Sequence, residues 1–372
     1  MRNSPPIQSA ARQPRARVKV NGTIAPGLFE AEVDNNNLYQ ADSFRVELAL
    51  SAQTPDMNWA WWASQTVLEV EVFMGFPADP NQYSETDLTS YILGLTDSIE
   101  IDPLADRIVL TGRDYTSVFL DSKISAAPFL NQTSSSIAVK LAQNHGLAAT
   151  VTATNTLVGK FYAYVQAKLD RAHTEWDQLT FLAQQEGFQV FVSGKTLFFQ
   201  AAATDRTDPY VIQWSVDDAG PPASNAKRLR FSRSLTLAND VKVFVKSVNF
   251  MQGTVIGGSG RTHAVKTALS RPTLTGDAQI YVFNYPNLTL DQANQKARAL
   301  ALQLSQHELR IEATLPGDQL LDAHGIVQLT GTGTIYDTFY FIEHVIRRIG
   351  MTEGYTMELR AKNHPADSQV LV

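Results

Sequence analysis

Seven histidines, at positions 145, 173, 263, 307, 324, 344 and 364, are the side chains best suited to hold a metal or move a proton near neutral pH. No two of them lie three to five residues apart, the spacing that turns a pair of imidazoles toward one ion. The chain has no cysteine, which excludes disulfides, thiolate zinc sites, iron–sulfur clusters and thiol nucleophiles together. His173-Thr174-Glu175 matches the start of a zinc deaminase signature but lacks the cysteines that complete it. Gly257-Gly258-Ser259-Gly260, read as a loop, has neither the lysine of a phosphate loop nor a helix after it, and Gly331-Thr332-Gly333 lacks a third glycine. Ser259 fails as a hydrolase elbow because Arg261 stands where glycine is needed. Trp59, Trp61 and Trp62 could form a sugar or partner surface, but Trp59 and Trp61 alternate as in a strand and are expected to fill a β core. Acids are plentiful enough to leave a glycosidase-type carboxylate pair open, although nothing singles one out. The expectation is a protein with no catalytic, cofactor-binding or metal-ligating residues.

The elements that would position any site read mainly as β. Up to about residue 17 the chain is Pro, Ser, Gln and Arg without apolar period, an extended basic arm, and structure is expected from Val18. Short alternating runs follow to about 125, such as Val67 to Phe73, where Glu69 and Glu71 share one face and Leu68, Val70 and Val72 the other. From 126 to 205 the texture changes to a small α/β unit. Ser134 to Gly146 has hydroxyls first, helical apolar spacing and a final glycine. Thr174 and Asp177 form a capping-box pair for a helix that Gly187 ends, and Phe188 to Phe199 reads as a hairpin through Ser193-Gly194-Lys195. Strands resume over 206–280 and 316–372, interrupted by a strand-helix-strand insertion over 281–315 whose helix runs from Thr289 to about His307. The predicted class is α+β, mainly β: two β-barrel-like domains, 18–125 and 206–280 with 316–372, carrying inserted small α/β domains.

At 372 residues the chain exceeds one ordinary domain, and 44% hydrophobic with 18% charged residues is a composition that folds. No apolar run is long enough for a membrane-spanning helix, and the start lacks the apolar centre of a secretory signal, so a soluble chain made in the cytoplasm is expected. A net charge of −6 argues against general nucleic-acid binding. Its distribution is uneven. Residues 1–20 carry five bases and no acid; residues 65–125 hold eleven acids against three bases; residues 226–271 hold nine bases against Asp240 alone. Such runs are either solvated faces or complementary surfaces that steer one copy against another.

Tyr91 to Ile101, then Leu110-Thr-Gly-Arg-Asp-Tyr115 and Phe119-Leu-Asp121, resemble the first domain of phage tail baseplate hub proteins. This is the late-control protein D-like family, closest here to the hub of Mu-like contractile phages and similar also to the N-terminal part of type VI secretion spike proteins. The resemblance continues through Ser135 to Gly146, Thr174 to Gly187 and the hairpin after it, and rests on the order of segments. It implies a homotrimer whose two barrel-like domains per chain alternate in a pseudo-sixfold ring. That ring would join the tail tube protein to a separate spike protein among other baseplate proteins, in a virion assembled in the host bacterial cytoplasm. DNA would pass along the axis without specific binding. Contacts in a cyclic trimer are heterologous, so complementary surfaces are required. The acids Asp97, Glu100 and Asp106 are therefore expected near Arg228, Arg230 and Arg233 of a neighbour. The alternative is a tail-associated cell-wall hydrolase that uses paired carboxylates.

Overall fold

A computed structural model describes residues 13–37, 39–124, 129, 132–155, 174–201, 208–216, 223–234, 241–249, 254–262, 279–285, 290–305, 309–352 and 354–363. The first β unit contains β1 (Arg15–Val20), β2 (Thr23–Ala25), β3 (Leu28–Asn36), β4 (Ser43–Ala49), β5 (Glu69–Gly75), β6 (Thr89–Asp102) and β7 (Arg107–Asp114). Alternation sets their faces: in β7, Ile108, Leu110, Gly112 and Asp114 point inward. Structure therefore starts earlier than expected. Arg15 and Arg17, assigned to the arm, lie in β1, where Arg15 Nε donates to the Pro80 carbonyl and the Arg17 guanidinium lies 4.5 Å from the Tyr83 ring centre. Residues 1–12 of that arm fall outside the described residues.

The tryptophans correct a second expectation. Trp59–Ser64 is a helix, α1, capped by Asn58, whose side chain accepts from the Trp61 N–H. Trp62, 1% exposed, enters the core, while Trp59 is 49% exposed. The Trp59/Trp61 alternation had suggested a strand, but Trp59 and Trp62 are also one helical turn apart, and the cap decides between the periods.

An α/β unit follows. Helices α2 (Thr116–Asp121), α3 (Ser134–Asn144) and α4 (Glu175–Glu186) pack with a sheet of β8 (Ala148–Val151), β9 (Phe188–Ser193) and β10 (Thr196–Ala201), ordered β8-β10-β9. The capping box of Thr174 and Asp177 is formed, and Gly187 closes α4 at φ +71°, a left-handed conformation that suits glycine. Phe119, Leu141, Trp176, Leu179, Leu197 and Phe199 share its core.

The second β unit contains β11 (Tyr210–Ser215), β12 (Ala223–Ser224) and β13 (Arg228–Arg233), and the chain then leaves it. Strands β14 (Val241–Asn249), β15 (Thr254–Thr262) and β16 (Gln279–Asn284) form their own sheet under α5 (Leu290–Ser305). The chain returns as β17 (Leu309–Pro316), β18 (Ile326–Thr330), β19 (Phe339–Gly350) and β20 (Gly354–Asn363). Strand pairing thus groups the chain differently from the expected 281–315 insertion: β14 and β15 leave the second unit, and β17 joins it. Gly257-Gly258-Ser259-Gly260, expected as a loop, lies within β15. α5 buries Ala293, Ala297 and Ala301 at four-residue spacing and packs over β14 and β15. Small residues on both elements allow that close approach. Thr289 and His307 lie outside the described residues.

The α+β, mainly β class holds, and the two β units share one 14-stranded sheet and one core, with no closed barrel among the described residues. Their strand orders repeat. The first runs β2-β1-β5-β6-β7-β4-β3 and the second β12-β11-β18-β19-β20-β17-β13, the same permutation of chain order in both. One pairing differs in sense, because β1 is antiparallel to β5 and β11 parallel to β18. The repeat extends to irregularities. β6 bulges between Thr96 and Ser98, and β19 between Ile342 and His344, each around one acid, Asp97 and Glu343. Asp97 pairs with Arg113 on β7, and Glu343 pairs with Lys362 at the corresponding position of β20. The units join where β3 pairs antiparallel with β19, from Asn36 opposite His344 to Glu30 opposite Gly350.

Candidate functional site

Arg347 has an inward position in β19, following Val345 and preceding Ile349, so the pleat carries a guanidinium into the core. It is 2% exposed. A buried cation must be compensated, and the fold supplies partners from both β units. Its Nη1 donates to Asn35 Oδ1 of β3 (2.5 Å), its Nη2 to the Leu321 carbonyl (2.6 Å), and its guanidinium lies 4.2 Å from the Tyr91 ring centre. Asn35 Nδ2 in turn donates to Asp42 Oδ2 (2.7 Å) and to the Tyr91 carbonyl (3.0 Å), while the Asn36 N–H donates to Asp42 Oδ1 (2.7 Å). Asp114, at the end of β7, receives the Thr116 N–H (3.1 Å) and hydroxyl (2.9 Å) on its two oxygens, and its own N–H donates to the Asp42 carbonyl.

These groups border a cleft of about 460 Å³ where the β units meet the α/β unit. His324 lines it, and the Phe191 ring of β9 stacks on His324 with centres 3.8 Å apart. Tyr39 donates its hydroxyl to the Phe188 carbonyl and accepts the Trp176 indole N–H on its own carbonyl, which ties the α/β unit down further. Burial pushes the Asp42 carboxyl up to about 7. Burial, then the neighbouring Asp42, raises Asp114 well above the usual carboxylate range, and burial lowers His324. Every oxygen of both carboxylates is held by a protein donor, so the arrangement acts as a joint that fixes three units together. Among the described residues no three His, Asp or Glu side chains gather as a metal site.

Sequence reasoning missed this joint. Its signal lay in β19, where a charge interrupts the inward phase of an apolar alternation, but the bulge at Glu343 shifts that phase and hides it.

The residues expected at a subunit contact fall into two groups. Asp97, at the bulge of β6, is bound by Arg113 through Nε (2.7 Å) and Nη2 (2.8 Å), and Asp106 receives the Ser51 N–H and hydroxyl, both at 2.6 Å. Glu100 is exposed on β6 beyond the bulge. Arg228 and Arg230 are exposed on β13, where Arg230 lies 3.6 Å from Glu312 of its own unit; Arg233 is half-buried at the strand end. The structure thus gathers the acids at one end of the first unit and the bases on one strand of the second, with Asp97 and Asp106 already engaged within the chain.

No family model matches the sequence, and no curated protein matches it. Solved structures do. The tail protein from Neisseria meningitidis MC58 superposes with a TM-score of 0.69 at 18% identity, covering 94% of this chain and 97% of that one. The 43 kDa tail protein of prophage MuSo2 from Shewanella oneidensis gives 0.64 at 15%, covering 96% and 99%. An E. coli component of the type VI secretion system, described as structurally similar to T4 bacteriophage tail proteins, gives 0.54 at 10%, covering 95% and 79%. Over nearly its whole length, the chain has the fold of these tail and secretion-system proteins.

Proposed function

We propose that the protein is the structural hub of a contractile tail baseplate, in a phage or a prophage-derived injection device. Three copies form a ring that joins a tail tube protein to the spike, beside other baseplate components, and leaves an axial passage for DNA. The observation that carries this reading is the repeated strand order 2-1-5-6-7-4-3 of the two β units. A chain with two similarly built units lets three copies offer six similar positions to a sixfold partner on one side while remaining threefold on the other. The likeness to tail proteins over nearly the full chain supports the same reading.

The work is mechanical. A ring under load benefits from units that do not hinge, and the buried Arg347–Asn35–Asp42 joint supplies that stiffness. For a wall hydrolase the candidate pair is Asp42 and Asp114, but their oxygens are committed to Asn35, Asn36 and Thr116. Light scattering after chromatography tests the reading: a mass of about three times 41.0 kDa is expected. A monomer at every concentration, with cell-wall cleavage lost in Asp42→Asn, would replace the hub by the hydrolase.

A further inference from the structure

Within one chain, the seam between the units uses the third strand of the first, β3, and the sixth strand of the second, β19. That leaves the counterparts unused. Beyond its bulge, β6 pairs with β7 on one side, while on the other side its pairing with β5 ends at Leu95, followed by one bond from the Thr96 N–H to the Leu68 carbonyl. β13 pairs only with β17 among the described residues. Among the described residues this leaves one open sixth-strand edge and one open third-strand edge, the two halves of a second seam of the same kind.

We infer that β13 of one copy adds, antiparallel, to residues 98–102 of β6 in the next copy, reproducing between chains the β3–β19 seam within them. This rests on the hub reading. The repeat fixes the register. With Asp97 matched to Glu343, Ser98–Asp102 correspond to His344–Arg348. Through β4 and β17, Ala31–Asp34 correspond to Leu229–Ser232. Arg348 stands opposite Glu32 in the existing seam, so Asp102 stands opposite Arg230 in the new one, Glu100 opposite Ser232, and Ile101 opposite Phe231.

Three independent observations fit that register. The first is burial: Ala31, Val33 and Val345 are fully buried in the existing seam, whereas their counterparts Leu229, Phe231 and Ile99 are only half-buried and already rest on the core. Adding the strand would complete their burial. The second is charge. Arg348 and Glu32 form an ion pair at 2.6 Å, and Asp102 with Arg230 repeats it with signs reversed. The reversal discriminates between edges, since β13 on a β19 would set Arg230 against Arg348, and β3 on a β6 would set Glu32 against Asp102. The third is space. A groove of about 330 Å³ runs beside the free edge of β6, lined by Trp62, Gln65, Val67, Thr96 and Ile99. Trp62 Nε1 and Thr96 Oγ1 lack hydrogen-bond partners there, and Val67 and Leu104, at 66% and 98% exposure, are large apolar side chains left open near the same edge.

The absence of cysteine makes the test clean. Oxidation of the Glu100→Cys/Ser232→Cys double variant should link chains into dimers and trimers on a denaturing gel. Glu100→Cys/Arg228→Cys, four residues out of register, and each single variant should not give that ladder. Asp102→Arg or Arg230→Asp alone should raise the concentration for half-assembly at least tenfold, and the double charge swap should restore it; thermal melting checks that each variant folds. A wild-type trimer that neither cross-links at 100/232 nor responds to the swaps overturns this seam while leaving the hub standing. A wild-type monomer at all concentrations overturns both.

Discussion

The β3–β19 seam and the free edges of β6 and β13 are built from corresponding strands, yet they differ in what their inward side chains can be. In the seam, position 347 is a buried arginine held by Asn35 and the Leu321 carbonyl; at the corresponding place on the free edge stands Ile101, half-buried and apolar. A permanent intrachain contact forms during folding and can satisfy a buried cation with fixed partners. An edge that first meets water and then another chain is better served by apolar contact inside and reversible charge outside. The same β architecture thus carries a fixed joint and an association surface, and chemistry at a few inward positions separates the two.

The largest test of that contrast is Arg347→Leu. It leaves the Asn35 and Leu321 acceptors without their donor, and a loss of about 3 to 5 kcal/mol is expected in chemical denaturation, the cost typical of breaking a buried charged network. Ile101→Leu, at the matched site, should change stability by less than about 1 kcal/mol; equal losses would remove the distinction. Next, Val345→Ala should cost about 2 kcal/mol in any state, whereas Ile99→Ala should cost clearly less in the isolated chain and approach that value after assembly.

A smaller effect concerns pH. Asp42 has its carboxyl raised to about 7, above the usual carboxylate value, so the folded chain binds more protons than the unfolded one between roughly pH 4 and 7. Stability therefore falls as pH rises through that window, and the melting midpoint should drop by a few degrees between pH 5 and 8. Asp42→Asn should reduce the slope and leave the share carried by Asp114, whose carboxyl is also raised by burial; an unchanged slope would place the titration elsewhere. The smallest expected difference lies between the matched ion pairs. Asp97→Asn should cost under about 1 kcal/mol because Asp97 is solvated, while Glu343→Gln, in a pair whose side chains are largely buried, should cost more. Double-mutant cycles with Arg113 and Lys362 measure both.

Local elements were readable in the chain because their signals are local. Thr174, Asp177 and Gly187 define α4 within fourteen residues, and Ser193-Gly194-Lys195 folds β9 onto β10 without help from elsewhere. The failures arose where two periods coincide or where tertiary packing licenses an unusual residue. Trp59-Ala-Trp61-Trp62 satisfies both a strand and a helix, and the Asn58 cap is what separates them. The glycines of β15 resemble a loop until α5 and its alanine face are laid over that sheet.

The candidate interface divided in the same way. Opposite charge blocks pointed to the β6–β7 end and to β13 as surfaces worth comparing, and Glu100 and Arg230 keep that role in the proposed contact. Asp97 and Asp106 drop out because Arg113 and Ser51 reach them first. The sequence by itself determined most strands and helices, α1 and β15 apart, the caps of α3 and α4, and that acids and bases are segregated, since these depend on neighbours a few residues away. Only the tertiary structure decided that β17 belongs beside β20, that Arg347 lies inside, and that two units repeat one strand order. Alternation fixes which face of a strand is buried; which strand lies beside it depends on contacts hundreds of residues apart.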